Sequence, residues 1–337
     1  MSNPLMADVA IIGAGPVGLF AAFECGMLKL TTVLIDALAE VGGQCAALYP
    51  EKPIYDIPAH PAIEAATLIE NLERQIEPFA PPRLLGRIVT AITGTAGAFT
   101  ITTDQDDTIA AKTIIIAAGA GAFGPNRPPL DGIAAYEATG AVQYYVKKRE
   151  AFRNKRIVIA GGGDSAVDWA IALKDIAASI AIVHRRPKFR AAPEMADQLA
   201  QAAERGEIDL VIPYQLHALH GASGQLHTVE VADLDGRTRH LEADILLPFF
   251  GLAMDLGPIA TWGLDLAQHH ITVTPSTLET STRGIFAIGD VATYPGKLKL
   301  ILQGFAEAAM AAHAIHPIVN PGTALHFEYS TSKGVPA

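Results

Sequence analysis

Cysteine is nearly absent, with two residues, Cys25 and Cys45, in a chain of 337. Two thiols cannot build a disulfide framework, so a fold stapled by cross-links is excluded. No run of 18 apolar residues occurs, and no membrane-spanning helix is expected. Residues Met1 to Asp8 have neither the basic segment nor the apolar core of a secretory signal, so a cytoplasmic protein is expected. Positive charge is scarce: 25 Lys and Arg face 35 Asp and Glu, for a formal net charge of −10. Such an acidic balance argues against nucleic-acid binding, which depends on cations that neutralise phosphates. Low-complexity and collagen-like segments are missing too, because the glycines and prolines are scattered.

What is present is a chain too long for one ordinary domain and comfortable for two. Half of it is hydrophobic but only 7% is aromatic, with Ala, Ile and Gly abundant. That mix suits buried parallel strands covered by helices. The clearest pattern is an internal echo. Residues 7–18 (ADVAIIGAGPVG) and 155–166 (KRIVIAGGGDSA) each read as an apolar strand, a glycine turn and a helix start. Helical stretches follow at 16–27 and 164–177, then apolar strands at 31–36 and 179–184. Gly13 and Asp36 are 23 residues apart, and so are Gly161 and His184. Two βαβ units of equal spacing imply an α/β protein with two Rossmann-like dinucleotide-binding domains.

Gly/Pro-rich stretches at 117–132 and 248–258 bracket the second unit and suit domain crossings. The expected layout is a discontinuous first domain, 1–120 and 252–315, with a second domain, 121–251, inserted into it. A long helical pattern from about Leu300 to Ile315 closes the first domain, and residues 316–337 form a tail.

The two motifs differ where they choose a ligand. In the first, Gly13 permits a tight turn, Gly15 lets the backbone approach a pyrophosphate, and Gly18 lets helix and strand pack closely. Asp36 ends the next strand. A carboxylate there accepts hydrogen bonds from a ribose diol and repels a 2′-phosphate, which suits FAD or NAD. In the second motif Gly161, Gly163 and Ala166 repeat the pattern, with Asp164 and Ser165 at the helix start. No acid ends its second strand. The chain reads His184-Arg185-Arg186-Pro187-Lys188-Phe189-Arg190 instead, and guanidinium groups grip phosphate in paired hydrogen bonds. That points to NADPH. Two dinucleotides of different type suggest hydride relay from NADPH to a flavin.

With these motifs in place, the chain resembles the two-dinucleotide flavoprotein disulfide reductase superfamily. TSTRGIFAIGD (280–290) is similar to its second FAD motif, and HRRPKFRA (184–191) to the NADPH motif of thioredoxin reductases. The resemblance breaks at the thiols. Residues 136–150 hold no CxxC pair, and Pro50 stands where lipoamide-dehydrogenase-type enzymes place the partner of Cys45. Cys45 and Cys25 therefore read as packing residues. The nearest resemblance is then the ferredoxin–NADP reductase branch of thioredoxin-reductase-like folds. It rests on GGQCAALYPEKPIYDIP (42–58), GDSAVDWA (163–170), VHRRPKFRAAPE (183–194), YPGKLKLILQGFAEAA (294–309) and the tail HFEYSTSKG (326–334).

That resemblance implies FAD contacts at Gln44, Tyr49, Val89, Phe123 and Asp290, and a tail whose Tyr329 stacks on the flavin with Thr331 beside it. It implies NADP(H) contacts at the residues of the second motif, including His184, Arg185, Arg186 and Arg190. Tyr49 and Tyr329 are the expected flavin-stacking residues, no side chain is expected as nucleophile or general base, and no metal site is expected. The implied reaction is hydride transfer from NADPH to flavin N5, followed by single-electron transfer to ferredoxin or flavodoxin, in a homodimer. The helix starting near Leu300 is expected to turn its positive end toward the flavin. Other acceptors (a quinone, oxygen) and a non-catalytic FAD/NADPH redox sensor remain open. Lys147, Lys148, Arg149, Arg153, Lys155 and Arg156 form a basic cluster that reads equally as a ferredoxin contact or a solvated surface.

Overall fold

A computed structural model describes residues 4–323 and Gly334, without the side chains of 122–123 and 252–254. The chain forms two compact units, one of residues 1–123 with 254–337 and one of residues 124–253.

The first unit is organised by the strand Leu5–Ile12, which lies parallel to Thr32–Asp36 on one side and Thr108–Ile116 on the other. Val9 to Ile12 and Ile114 to Ile116 are almost wholly buried, as central parallel strands require when helices cover both faces. The strand Thr108–Ile116 shares one edge between two partners. Its first half pairs antiparallel with Ala98–Thr103, and its last residues pair parallel with Ile285–Ala287. That second pairing carries the chain of the 280–290 segment to the same end of the sheet as the first glycine turn, since Ala287 lies opposite Ile116, itself opposite Ile12.

The second unit has a four-stranded parallel sheet in the order Asp209–Val211, Ser179–Val183, Arg156–Ala160, Ile245–Pro248. Beside it in the sequence runs a three-stranded antiparallel sheet, Gln215–Ala222, Gln225–Ala232 and Thr238–Glu242.

The helices Pro16–Met27 and Asp164–Leu173 follow the two glycine turns. The first matches its expected span and opens with proline, whose fixed φ and missing N–H suit the first helical position. The second stops at Leu173, short of the expected 177. The Ile176 carbonyl accepts the Asn154 N–H and the Ala178 N–H donates to the Lys155 carbonyl, so these residues are drawn out of the helix toward the strand at Arg156. The last helix, Ile301–Val319, runs past the expected end at Ile315, so the first residues expected as tail are its final turn. Pro317 does not end it, because Ile315, His316 and Val319 are buried and hold that turn in place.

Candidate functional site

In the first unit the glycine turn is held by close backbone contacts. Gly13 has φ +113°, and a methyl there would lie 2.3 Å from the Ala117 carbonyl oxygen. A methyl on Gly18 would lie 1.9 Å from the Gly13 carbonyl oxygen, so helix and turn touch through bare backbone. At Gly15 the nearest neighbour of an added methyl is the Gly43 Cα at 3.9 Å. The short helix Gly43–Ala47 therefore starts against the fingerprint, and Gly42 donates its N–H to the Ala14 carbonyl.

Asp36 finishes this turn. Its Oδ2 accepts the Ala14 N–H at 2.6 Å and its Oδ1 accepts the Leu38 N–H at 2.8 Å. Burial pushes its carboxyl above the usual value, partly offset by those two bonds. A cavity of about 580 Å³ opens here, within the range of small-molecule sites. Gly13, Gly15, Asp36, Gln44, Tyr49, Val89 and Asp290 all line it, so residues expected from separate motifs meet at one place. Gly18 does not line it, because its part is to pack helix on strand. Leu300 and Ile301, which begin the last helix, line it too, and the first turn of that helix carries no acid to cancel its positive end. The side chain of Phe123 and all of Tyr329 and Thr331 lie outside the described residues.

The cavity also has residues the motifs did not single out. Trp262 lines it, and its indole Nε1 is buried with no hydrogen-bond partner among the described residues. Such an orphaned buried donor is costly. Behind the wall lies a buried charge network. Glu307, fully buried, accepts the Gly289 N–H at 2.7 Å and the Tyr294 hydroxyl at 2.6 Å, and it pairs with Lys297, itself only 5% exposed. Burial and the Glu307 carboxylate push the Tyr294 phenol up to about 12. The network fixes the turn Gly289–Val291, and with it Asp290, to the last helix. Glu307 lies inside the segment 294–309 that carries the resemblance, but nothing local marks a lone acid in an apolar helix as a buried partner.

Neither thiol is placed for redox work. Cys25 and Cys45 are free and buried. Burial pushes the Cys45 thiol up to about 11, and the Cys25 thiol well above its ordinary value. Cys45 Sγ has the Tyr49 hydroxyl as its neighbour at 3.9 Å.

The second unit repeats the turn with different surroundings. A methyl on Gly161 would meet the Phe249 carbonyl oxygen at 2.6 Å, whereas one on Gly163 would meet nothing within 4 Å. The turn is thus anchored at its start and open at the helix N-terminus, where Asp164 and Ser165 are exposed. Asp164 Oδ1 accepts the Ala192 N–H at 2.9 Å, and Arg190 donates its backbone N–H to the Gly162 carbonyl at 2.6 Å. The basic loop is so tied to the turn. Arg185, Arg186 and Arg190 are exposed, and none pairs with an acid among the described residues. His184 is set apart from them. Its ring is buried beneath Gly162, 5.0 Å from the Phe189 ring, and burial lowers its pKa, with the three arginines adding to the effect. Its Nε2 has no hydrogen-bond partner among the described residues.

The basic cluster near residue 150 is partly neutralised. Arg156 is engaged by Asp244 at 2.6 Å and by Glu242 at 3.0 Å, and Arg153 pairs with Glu150.

A family model described as pyridine nucleotide-disulphide oxidoreductase matches residues 7–314, and the chain belongs to that family. Within it, the chain is 82% identical to a ferredoxin–NADP reductase of Acidiphilium cryptum, over 100% of this chain and 99% of the relative. It is 70% identical to one of Gluconobacter oxydans, over 98% of both chains. Among solved structures, the thioredoxin reductase of Lactococcus lactis matches with a TM-score of 0.80 and 26% identity, covering 93% of this chain and 99% of its own. The second unit of this chain has no cysteine at all, so the family's fold is present without a dithiol there. Among the described residues no helix is long and apolar enough to cross a membrane.

Proposed function

We propose that this chain is a ferredoxin–NADP reductase that holds FAD in the first unit and NADP(H) in the second. The observation that carries the reading is the contrast at the two strand ends, Asp36 against unpaired Arg185, Arg186 and Arg190, in a chain without a dithiol. When bound, FAD supplies the exchange between a two-electron hydride and single electrons. The residues of the first unit bind and orient it. Gly13, Gly15 and Gly18 give backbone access to its pyrophosphate, Asp36 meets the adenosine ribose, and Val89 lies beside the adenine. Asp290 takes the ribityl chain, while Gln44 and Tyr49 bound the ring system. The cavity fits such a group: its wall includes Asp290, Gln44 and the positive end of the last helix.

In the second unit Gly161, Gly163 and Ala166 admit the pyrophosphate of NADP(H), with Asp164 and Ser165 at the helix start. Arg185, Arg186 and Arg190 hold its 2′-phosphate above the His184 ring. No side chain acts as nucleophile or base. The enzyme works as a cytoplasmic homodimer.

The test is steady-state cytochrome c reduction by NADPH with and without added ferredoxin. Turnover should depend on ferredoxin and should collapse with NADH at the same low concentration. A rate indifferent to ferredoxin, but restored by flavodoxin or a quinone, would assign another acceptor. Slow turnover with every carrier would leave a sensor.

A further inference from the structure

The three-stranded antiparallel sheet of the second unit has one face in the core and one in solvent. Val229, Val231 and Leu241 are buried on the inner face. The outer face gathers imidazoles. His240 is paired directly with Glu230 on the neighbouring strand, and paired residues share a face. His220 is in register with Thr228, two residues from Glu230 and so on the same side. Between Leu216 and Ala218 the register shifts, and this bulge turns His217 toward the same carboxylate. His220 Nε2 lies 2.7 Å from Glu230 Oε2, and His217 Nε2 lies 3.9 Å from Glu230 Oε1. The rings of His220 and His240 are 5.7 Å apart. One ligand atom from each of His220, Glu230 and His240 lies within 4.8 Å of the others.

We infer that His220, Glu230 and His240 form a binding site for a divalent transition-metal ion such as zinc, with His217 as the fourth ligand. Three imidazoles and one carboxylate are the donor set that zinc, nickel and copper prefer, and four such donors suit a tetrahedral ion. Bonds of about 2.0–2.2 Å to a shared ion would draw these ligand atoms closer than their present spacing of up to 4.8 Å. A plain surface ion pair would use one histidine and contribute little. Here three converge on one acid, from strands whose inner faces are fixed by the core, which is the rigid support a metal site needs. Glu242, which follows on the same strand face as His240, is engaged by Arg156. The sequence gives no sign of the site, because its ligands come from three strands with no metal-binding spacing. An ion there would tie all three strands together and stabilise the folded unit by mass action.

The experiment uses the untagged full-length flavoprotein, stripped with chelator and titrated with Zn²⁺ by calorimetry and with Co²⁺ by visible absorption. The expected result is one ion per chain, with cobalt bands of a tetrahedral site and a melting temperature raised by roughly 3 °C at saturating zinc. His220→Ala and His240→Ala should each weaken zinc by about 30-fold or more, and His217→Ala by about tenfold. His227→Ala, an exposed histidine of the same strand outside the cluster, should leave affinity unchanged. NADPH oxidation by the metal-free variants, equal to that of the metal-free parent, will show that they are folded. Absence of stoichiometric zinc, or equal affinity in a His220→Ala/His240→Ala double variant, overturns the site.

Discussion

Gly18 and Ala166 hold the same place in their two turns, yet only one could exchange with the other. A methyl at Gly18 would sit 1.9 Å from the Gly13 carbonyl oxygen, whereas Ala166 carries one and is fully buried in a turn that accepts it. The strand ends diverge further. Asp36 engages both oxygens with the backbone of its own turn, and in the second motif Arg185, Arg186 and Arg190 have no acidic partner among the described residues, next in sequence to the buried His184 ring. The glycines of such a motif fix where a pyrophosphate can lie, and the end of the following strand decides which dinucleotide is accepted.

The largest effect expected from breaking this comparison is on the support behind the first turn. Glu307→Ala removes the partner of Lys297 and the acceptor of the Gly289 N–H, both in the interior. Urea unfolding should show a loss of about 3–5 kcal/mol, with loss of bound flavin. Glu307→Gln should lose less, because its carbonyl still accepts the Gly289 N–H. An unchanged unfolding midpoint would show that the first turn does not depend on this pair.

Next comes the glycine contrast itself. Gly18→Ala should cost about 3 kcal/mol or more, since neither backbone atom in the clash can move cheaply. Gly163→Ala should leave the melting temperature nearly unchanged and instead raise the KM for NADPH, because its methyl points into open space at the helix start. If both variants melted alike, the two turns would be less different than their contacts imply.

The arginines should give a comparable but selective effect. Arg185→Ala/Arg190→Ala is expected to reduce kcat/KM for NADPH by about 100-fold, the loss of charge-assisted phosphate contacts, with little change for NADH. Equal losses with both nucleotides would move the 2′-phosphate elsewhere.

The smallest effect should come from the thiols. With Cys45 titrating near 11, about one molecule in a thousand carries its thiolate at pH 8. Alkylation of the native protein should therefore be slow and should still be accelerating as pH rises past 9.5, well below that value. Cys25→Ala/Cys45→Ala, which buries no new hydroxyl, should keep activity within about tenfold of the parent. A sharper loss with flavin retained would reveal a redox cysteine.

Much of the site was legible because its signals are local. The turn Gly13–Gly18 with Asp36, and its echo at Gly161–Ala166, lie within stretches of 23 residues whose geometry the chain itself imposes, and both helices and strands formed where that geometry required. Reading failed where a residue's role depends on distant neighbours. In the sequence His184 stands together with the basic run, and only the packing of Gly162 and Phe189 around it sets its buried ring apart from the arginines. For Arg156 the sequence leaves a partner contact and a solvated surface open, and only the fold sets Asp244, from the far end of the unit, against it.

The sequence by itself determined the two dinucleotide motifs, the contrast of an acid at one strand end with a basic run at the other, and the lack of a dithiol, because each is a matter of residue type at fixed short spacing. Only the tertiary structure decided that Asp290 is pinned through Gly289 to Glu307 and Lys297, that Trp262 lines the cavity, and that three histidines surround Glu230. Those arrangements depend on which strands pair and which helix covers them, and no single stretch of chain contains that information.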